Sequence, residues 1–198
     1  MLSIVHACAV VGLDGHIVEV ETDFNPRAHM PSFILVGLPD AAVKESRERV
    51  RAAIKNSGLQ FAPKGYLINL SPADLPKTST AYDLAIAVGV LASTDQVPLK
   101  PLENALFVGE LSLDGSVRHV GGALSMAYAA LQAGITHVYV PAEDAPLAAF
   151  VSDLAVIPVK SLGQLVEHLY GMNPIPPYDT VTIPELGNPI DFGGITDF

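Results

Sequence analysis

Apolar and polar positions along this chain alternate between two periods, and that alternation sets the expected elements. Residues 2–11 are apolar and partly β-branched, which reads as a strand, and Gly12-Leu-Asp-Gly15 reads as a turn. His16 to Thr22 alternates charged and apolar side chains, as a half-exposed strand should, so the two segments make a hairpin. Phe33 to Val36 is a third strand. Asp40 is a good N-cap for a helix over 41–57, with Val43, Val50 and Ile54 on one face and Gly58 closing it. Tyr66 to Leu70 is a strand, followed by the polar loop Ser71-Pro-Ala-Asp-Leu-Pro-Lys77. Thr80 can cap the next helix, with Asp83 placed as in a capping box. That helix, 81–93, is apolar on every side and so buried on every side. Leu106 to Leu113 and Val117 to Val120 flank Asp114-Gly115, a strong hairpin signal. Gly121-Gly122 opens a helix that runs to Ala133. A strand over 137–140, a short helix over 143–150, a strand over 154–157 and a helix over 162–170 follow. Interleaved strands and helices imply an α/β domain with a mixed sheet.

From Met172 onward the pattern dissolves. Residues 172–198 are proline-rich, hold four acidic groups and have no Lys or Arg, as an extended linker would. The expected organisation is therefore a domain over 1–171 and a linker over 172–198.

Composition narrows the options. The 198 residues are 49% hydrophobic and 16% charged, which excludes disorder of the whole chain. No apolar run is long enough to span a bilayer, so no membrane contact is expected. A single cysteine, Cys8, excludes an intramolecular disulfide, and a reducing cytoplasm is the simplest compartment. The net charge of −10 opposes tight nucleic-acid binding by the chain as a whole. The charge is uneven, however. Residues 1–100 carry 9 basic and 10 acidic side chains, whereas 101–198 carry 2 and 11. Any basic surface must come from the first half.

Three kinds of chemistry are candidates. The helix over 41–57 holds Lys44, Arg47, Arg49, Arg51 and Lys55, five of the eleven basic residues. Lys44, Arg47, Arg51 and Lys55 cluster on one side, set away from Val43, Val50 and Ile54. They are candidates for a DNA or partner contact; the plainer expectation is a solvated face laced with pairs such as Lys44–Glu48. The loop after residue 70 offers hydroxyls from Ser71, Ser79 and Thr80 and an amine from Lys77, the parts of a Ser–Lys nucleophile if they meet in space. No G-x-x-x-x-G-K-[ST] loop occurs, and Gly121-Gly122 is more simply a hairpin-to-helix junction. The six histidines lack metal-ligand spacing, so no metal site is expected.

Several segments together carry a family resemblance. Val36-Gly-Leu-Pro39, Val43-Lys-Glu-Ser46, Arg49-Val-Arg-Ala-Ala-Ile54 with Asn56-Ser-Gly58, Ile68-Asn-Leu-Ser-Pro-Ala-Asp-Leu-Pro-Lys77, Tyr82-Asp-Leu-Ala-Ile-Ala87 and Gly109-Glu-Leu-Ser-Leu-Asp-Gly115 resemble the N-terminal domain of Mg-chelatase-like AAA+ ATPases, nearest to the ComM/YifB competence type. The resemblance spans about residues 1–171. It implies a fold similar to ribosomal protein S5 domain 2 and the Lon protease domain: an α+β two-layer arrangement with a mixed sheet packed with helices. In Lon-type domains a serine follows a Pro-Lys at a helix start, and a lysine follows a Gly-Gly after a hairpin. By that likeness Ala81 stands at the serine position and Leu124 at the lysine position.

The resemblance therefore implies a protease-like scaffold without its dyad, and no enzyme activity in this chain. It further implies a non-catalytic accessory domain of a hexameric ATPase acting on DNA in natural transformation, as a DNA helicase or branch-migration factor. ATP and Mg would bind in an AAA+ module beyond this chain, which would itself be a partner. Two alternatives stay open: a residual hydrolase using Lys77, Ser79 and Thr80, and a purely oligomerising domain.

Overall fold

The computed structural model describes residues 1–180. Strands β1 (Leu2–Val11) and β2 (Asp14–Asn25) form the expected antiparallel hairpin. They are followed by β3 (Ser32–Val36), α1 (Ala41–Asn56), β4 (Gly65–Ser71) and α2 (Asp83–Ser93). The second half holds β5 (Ala105–Phe107), β6 (Glu110–Leu111), β7 (Val117–Arg118), α3 (Ala123–Gln132), β8 (His137–Pro141), α4 (Ala145–Ala148), β9 (Ala155–Val159) and α5 (Leu162–Leu169). Seven strands make one mixed sheet in the order β3-β4-β2-β1-β5-β8-β9. The pairs β3–β4, β1–β5, β5–β8 and β8–β9 are parallel, while β1–β2 and β2–β4 are antiparallel. The α/β mixed-sheet expectation holds.

Alternation along the central strands sends successive side chains to opposite layers. Val5, Ala7, Ile68, Leu70 and Phe107 pack with α1, α2 and α5, whereas Cys8, Leu106, Val138 and Val156 pack with residues of α3 and α4. Every residue of α2 is buried, as its all-round apolar pattern requires. Burial also pushes the Cys8 thiol up to about 12, so this cysteine behaves as a core side chain. Over β3, β4, the end of β2 and the start of β1, the second face has no helix, while α3 packs on the start of β2 at Gly15. The bare part leaves Leu2, Ile4, Ile34, Val36 and Leu67 exposed beside the β2 acids.

Two local expectations change. The segment over 106–113 is not one strand. The amides of Val108 and Gly109 bond the carbonyls of Tyr139 and Ala81, which carries the chain off the large sheet after β5. Only β6 pairs with β7, around the Asp114–Gly115 turn. The helix over 143–150 is shorter than expected, with α4 confined to Ala145–Ala148.

Packing continues past α5. The amide of Ile175 donates to His168 Nδ1 at 2.8 Å, and that of Tyr178 to the Val156 carbonyl at 2.7 Å. The first residues of the expected linker are thus seated on the domain. Its remainder, 181–198, lies outside the described residues. Among the described residues no helix is long and apolar enough to cross a membrane.

Candidate functional site: a protease-like loop and a basic groove

The loop after β4 is built by its backbone. Asp40 N donates to the Lys77 carbonyl at 3.1 Å, and Lys77 N to the Leu38 carbonyl at 3.4 Å, so the loop is stitched to the turn between β3 and α1. That turn needs Gly37, whose φ is +97° and where a Cβ would meet the Leu70 carbonyl oxygen at 2.1 Å. Asp40 caps α1 as expected, accepting from Val43 N at 2.8 Å.

Lys77 is 0% exposed. Its amine donates to the Pro72 carbonyl, and burial lowers its pKa against a smaller opposing pull from Asp74. Ser79, not Thr80, acts as the cap. Its Oγ accepts from Ala81 N at 3.1 Å, opening a short 3₁₀ turn over Thr80–Tyr82. Thr80 Oγ1 instead donates to the Glu110 carboxylate. Among the described residues no hydrogen bond joins the Lys77 amine to Ser79 or Thr80. Ala81 is fully buried against Val120 and Leu106, while Leu124 is half-exposed on α3.

Asp83 departs from the capping-box expectation. Its carboxylate is wholly buried and turns across to α1. It accepts from Arg49 Nε at 2.6 Å, Arg49 Nη2 at 3.1 Å, the Ser46 hydroxyl and Leu111 N at 3.2 Å. A buried carboxylate takes the strongest donors in reach, and a guanidinium fork outcompetes a helix N–H. Burial raises the Asp83 pKa, while Arg49, Ser46 and Leu111 oppose it. Arg49 also bonds the Ala42 carbonyl, so this one pair ties α1, α2 and β6 together. The sequence carried a signal for it: one acid in an otherwise apolar helix needs a buried donor.

With Arg49 withdrawn, the exposed cations on α1 are Lys44, Arg47, Arg51 and Lys55. The expected Lys44–Glu48 pair does not form. Glu48 takes Arg47 at 3.0 Å, and Glu45 reaches Arg49 at 4.0 Å. Among the described residues Lys44, Arg51 and Lys55 have no acidic partner within salt-bridge distance. Nor does the cationic row stand apart from the core side of the helix. Arg47, Arg51 and Lys55 line a groove of about 150 Å³ together with Lys64, Phe33 and Phe61. Sequence spacing could not show this groove, because part of its lining comes from the segment leading into β4.

A further dyad lies near the Gly121-Gly122 junction. His119 Nδ1 lies 2.5 Å from Asp144 Oδ1, and Asp144 also accepts from Val120 N at 2.9 Å. The ring is exposed, and the Asp144 hydrogen bond, helped weakly by Glu143, raises its pKa. The stability this pair adds is fully present below the ordinary value of 6.5 and fades as pH rises through the raised folded-state value. The melting temperature is therefore expected to fall slightly across that range, and His119→Gln to remove that component. An identical pH profile in the variant would contradict the assignment. Gly122, at φ +86°, caps α3 against Val10, which suits a junction and not a phosphate cradle. Among the described residues no group of three His, Cys, Asp or Glu side chains could hold a metal.

Comparison with known proteins places this geometry. The family model for subunit ChlI of Mg-chelatase matches residues 20–144. An uncharacterized protein of Mycobacterium tuberculosis is 48% identical over 163 residues, covering 82% of this chain and 32% of its own length. The uncharacterized protein YifB of Escherichia coli is 44% identical over 133 residues, covering 67% and 26%. Competence protein ComM of Haemophilus influenzae is 36% identical over 175 residues, covering 88% and 34%. Lon protease 2 of Bacillus subtilis is a more distant likeness, 23% identical over 185 residues and 85% of this chain, in keeping with the Lon-like fold. The chain spans about a third of the length of these relatives. It belongs to the Mg-chelatase-like family that includes YifB and ComM.

Proposed function

We propose that this chain is the N-terminal accessory domain of a longer Mg-chelatase-like AAA+ ATPase that works on DNA, with its exposed α1 cations as the DNA-contacting surface. The observation that carries the reading is the row Lys44, Arg47, Arg51 and Lys55 on a chain whose net charge is −10. A row of exposed cations on one helix face of an acidic domain, only Arg47 of them paired with an acid, is what phosphate contact needs. The relatives' threefold greater length leaves room for an ATPase module holding ATP and Mg. The uncovered sheet face with Leu2, Ile4, Ile34, Val36 and Leu67 supports docking of that module, since several large apolar side chains exposed on one face are a mark of interaction surfaces. The name of the Haemophilus relative supports a role in natural transformation. A hexameric assembly, a branch-migration activity and a cytoplasmic setting complete the proposal.

Charge reversal tests it. Arg47→Glu with Arg51→Glu removes salt-dependent DNA binding and leaves the fold intact; unchanged binding would remove the reading.

The proposal also holds that this chain performs no hydrolysis of its own. The buried Lys77 amine, with its lowered pKa, is the one observation favouring a residual hydrolase. A serine-reactive acylating probe separates the two. No labelling at Ser79 or Thr80 is expected, whereas labelling lost in Ser79→Ala would establish a nucleophile.

A further inference from the structure

Resting on the DNA reading above, we infer that the groove between α1 and the segment before β4 seats an extended single strand of nucleic acid. Its phosphates lie along the cationic walls and a base lies on the aromatic floor.

The walls come first. Arg47, Arg51 and Lys55 recur every fourth residue, so they stand in a row about 6 Å apart along the helix axis. That spacing suits consecutive phosphates of an extended strand. Lys64, from the segment before β4, lines the same groove, and no acidic side chain lines it. The nearest acid on the helix, Glu48, pairs with Arg47 at an exposed position where a phosphate can displace it cheaply.

The floor is the second observation, and it is independent of charge. Phe33 and Phe61 stack with ring centroids 6.1 Å apart and planes 29° from parallel. Buried Tyr66 backs both, at 6.0 Å from Phe33 and 5.0 Å from Phe61. The rings are thus packed against each other and against Tyr66, and both line the groove. Pro31 and Pro63 stiffen its mouth.

A cationic track beside aromatic rings is the arrangement that binds single strands without sequence preference, because every base has a stacking face. A duplex keeps its bases turned inward and offers only phosphates to such a surface, so the floor would go unused. An acidic peptide would satisfy the walls but draw nothing particular from stacked phenyl rings.

The test uses this chain with a fluorescent oligothymidylate, a duplex of the same length, and inorganic polyphosphate as a competitor that has charge but no bases. The strand is expected to bind about tenfold tighter than the duplex, given what one stacked base is worth. Phe61→Leu keeps the apolar bulk but removes the ring face. It should bring strand affinity down to about the duplex level without changing the salt slope, its melting temperature serving as the fold control. Lys64→Gln should instead lower the salt slope for the strand by about 0.7.

Equal affinity for strand and duplex, an unaffected Phe61→Leu, or polyphosphate competing as well per charge would overturn the inference. If Arg47→Glu with Arg51→Glu still abolishes binding in that case, the DNA reading stands and only the single-strand assignment falls. If that double variant binds as well as the wild type, or the wild type binds neither nucleic acid, both fall.

Discussion

Asp83→Ala is expected to cost this chain about 3–5 kcal/mol of stability, the largest loss from any single polar substitution in it. The carboxylate is wholly buried and holds Arg49, the Ser46 hydroxyl and the Leu111 amide at once. Removing it strands a guanidinium in a site only 19% exposed and leaves an N–H without its partner. Domains of this size are stable by roughly 5–15 kcal/mol, so the loss is a large share of the margin. The double variant Asp83→Ala with Arg49→Met is expected to recover part of it, because removing both partners of a buried pair is far less damaging than removing one. Urea denaturation measures both. A loss below about 1 kcal/mol for Asp83→Ala would show that the pair does not hold α1, α2 and β6 together.

The charge reversal of Arg47 and Arg51 has the largest expected functional effect. Four α1 cations give a salt slope of roughly −3 for a single strand, which is about a fiftyfold loss of affinity across a fourfold rise in salt. Replacing two of them by glutamate changes the local charge by four units and leaves Lys44 and Lys55 opposed by new acids. Binding should fall by at least about a hundredfold at low salt. The fold should persist, since Arg47 and Arg51 are exposed and Arg47 makes only a surface pair with Glu48. Arg49 must be left alone in this experiment, because its role is structural.

Much of this was legible from residues. The all-apolar pattern of 83–93 announced a helix buried on every face, and Asp40 announced the start of α1. The motifs announced the family. What escaped was settled between elements distant in sequence. Arg49 stood outside the cationic row with no role of its own in the spacing, and only its proximity to Asp83, 34 positions on, supplies one. Thr80 looked like a cap because capping is a local rule, yet Glu110, 30 positions on, outcompetes it for the hydroxyl. The groove had no local signature, because its lining comes from three separate segments: 31–33, α1 and 61–64. Lys77 could be seen as an amine near hydroxyls; that it is turned to the Pro72 carbonyl is a matter of three-dimensional packing.

Under the function proposed above, a protease-like scaffold keeps its strand–loop–helix framework but works through the cationic groove on α1. The salt slope of oligothymidylate binding, compared between the wild type and Arg47→Glu with Arg51→Glu, tests that most directly. The account predicts a steep slope of roughly −3 in the wild type and one near zero in the variant. Equal slopes in two equally folded proteins would contradict it.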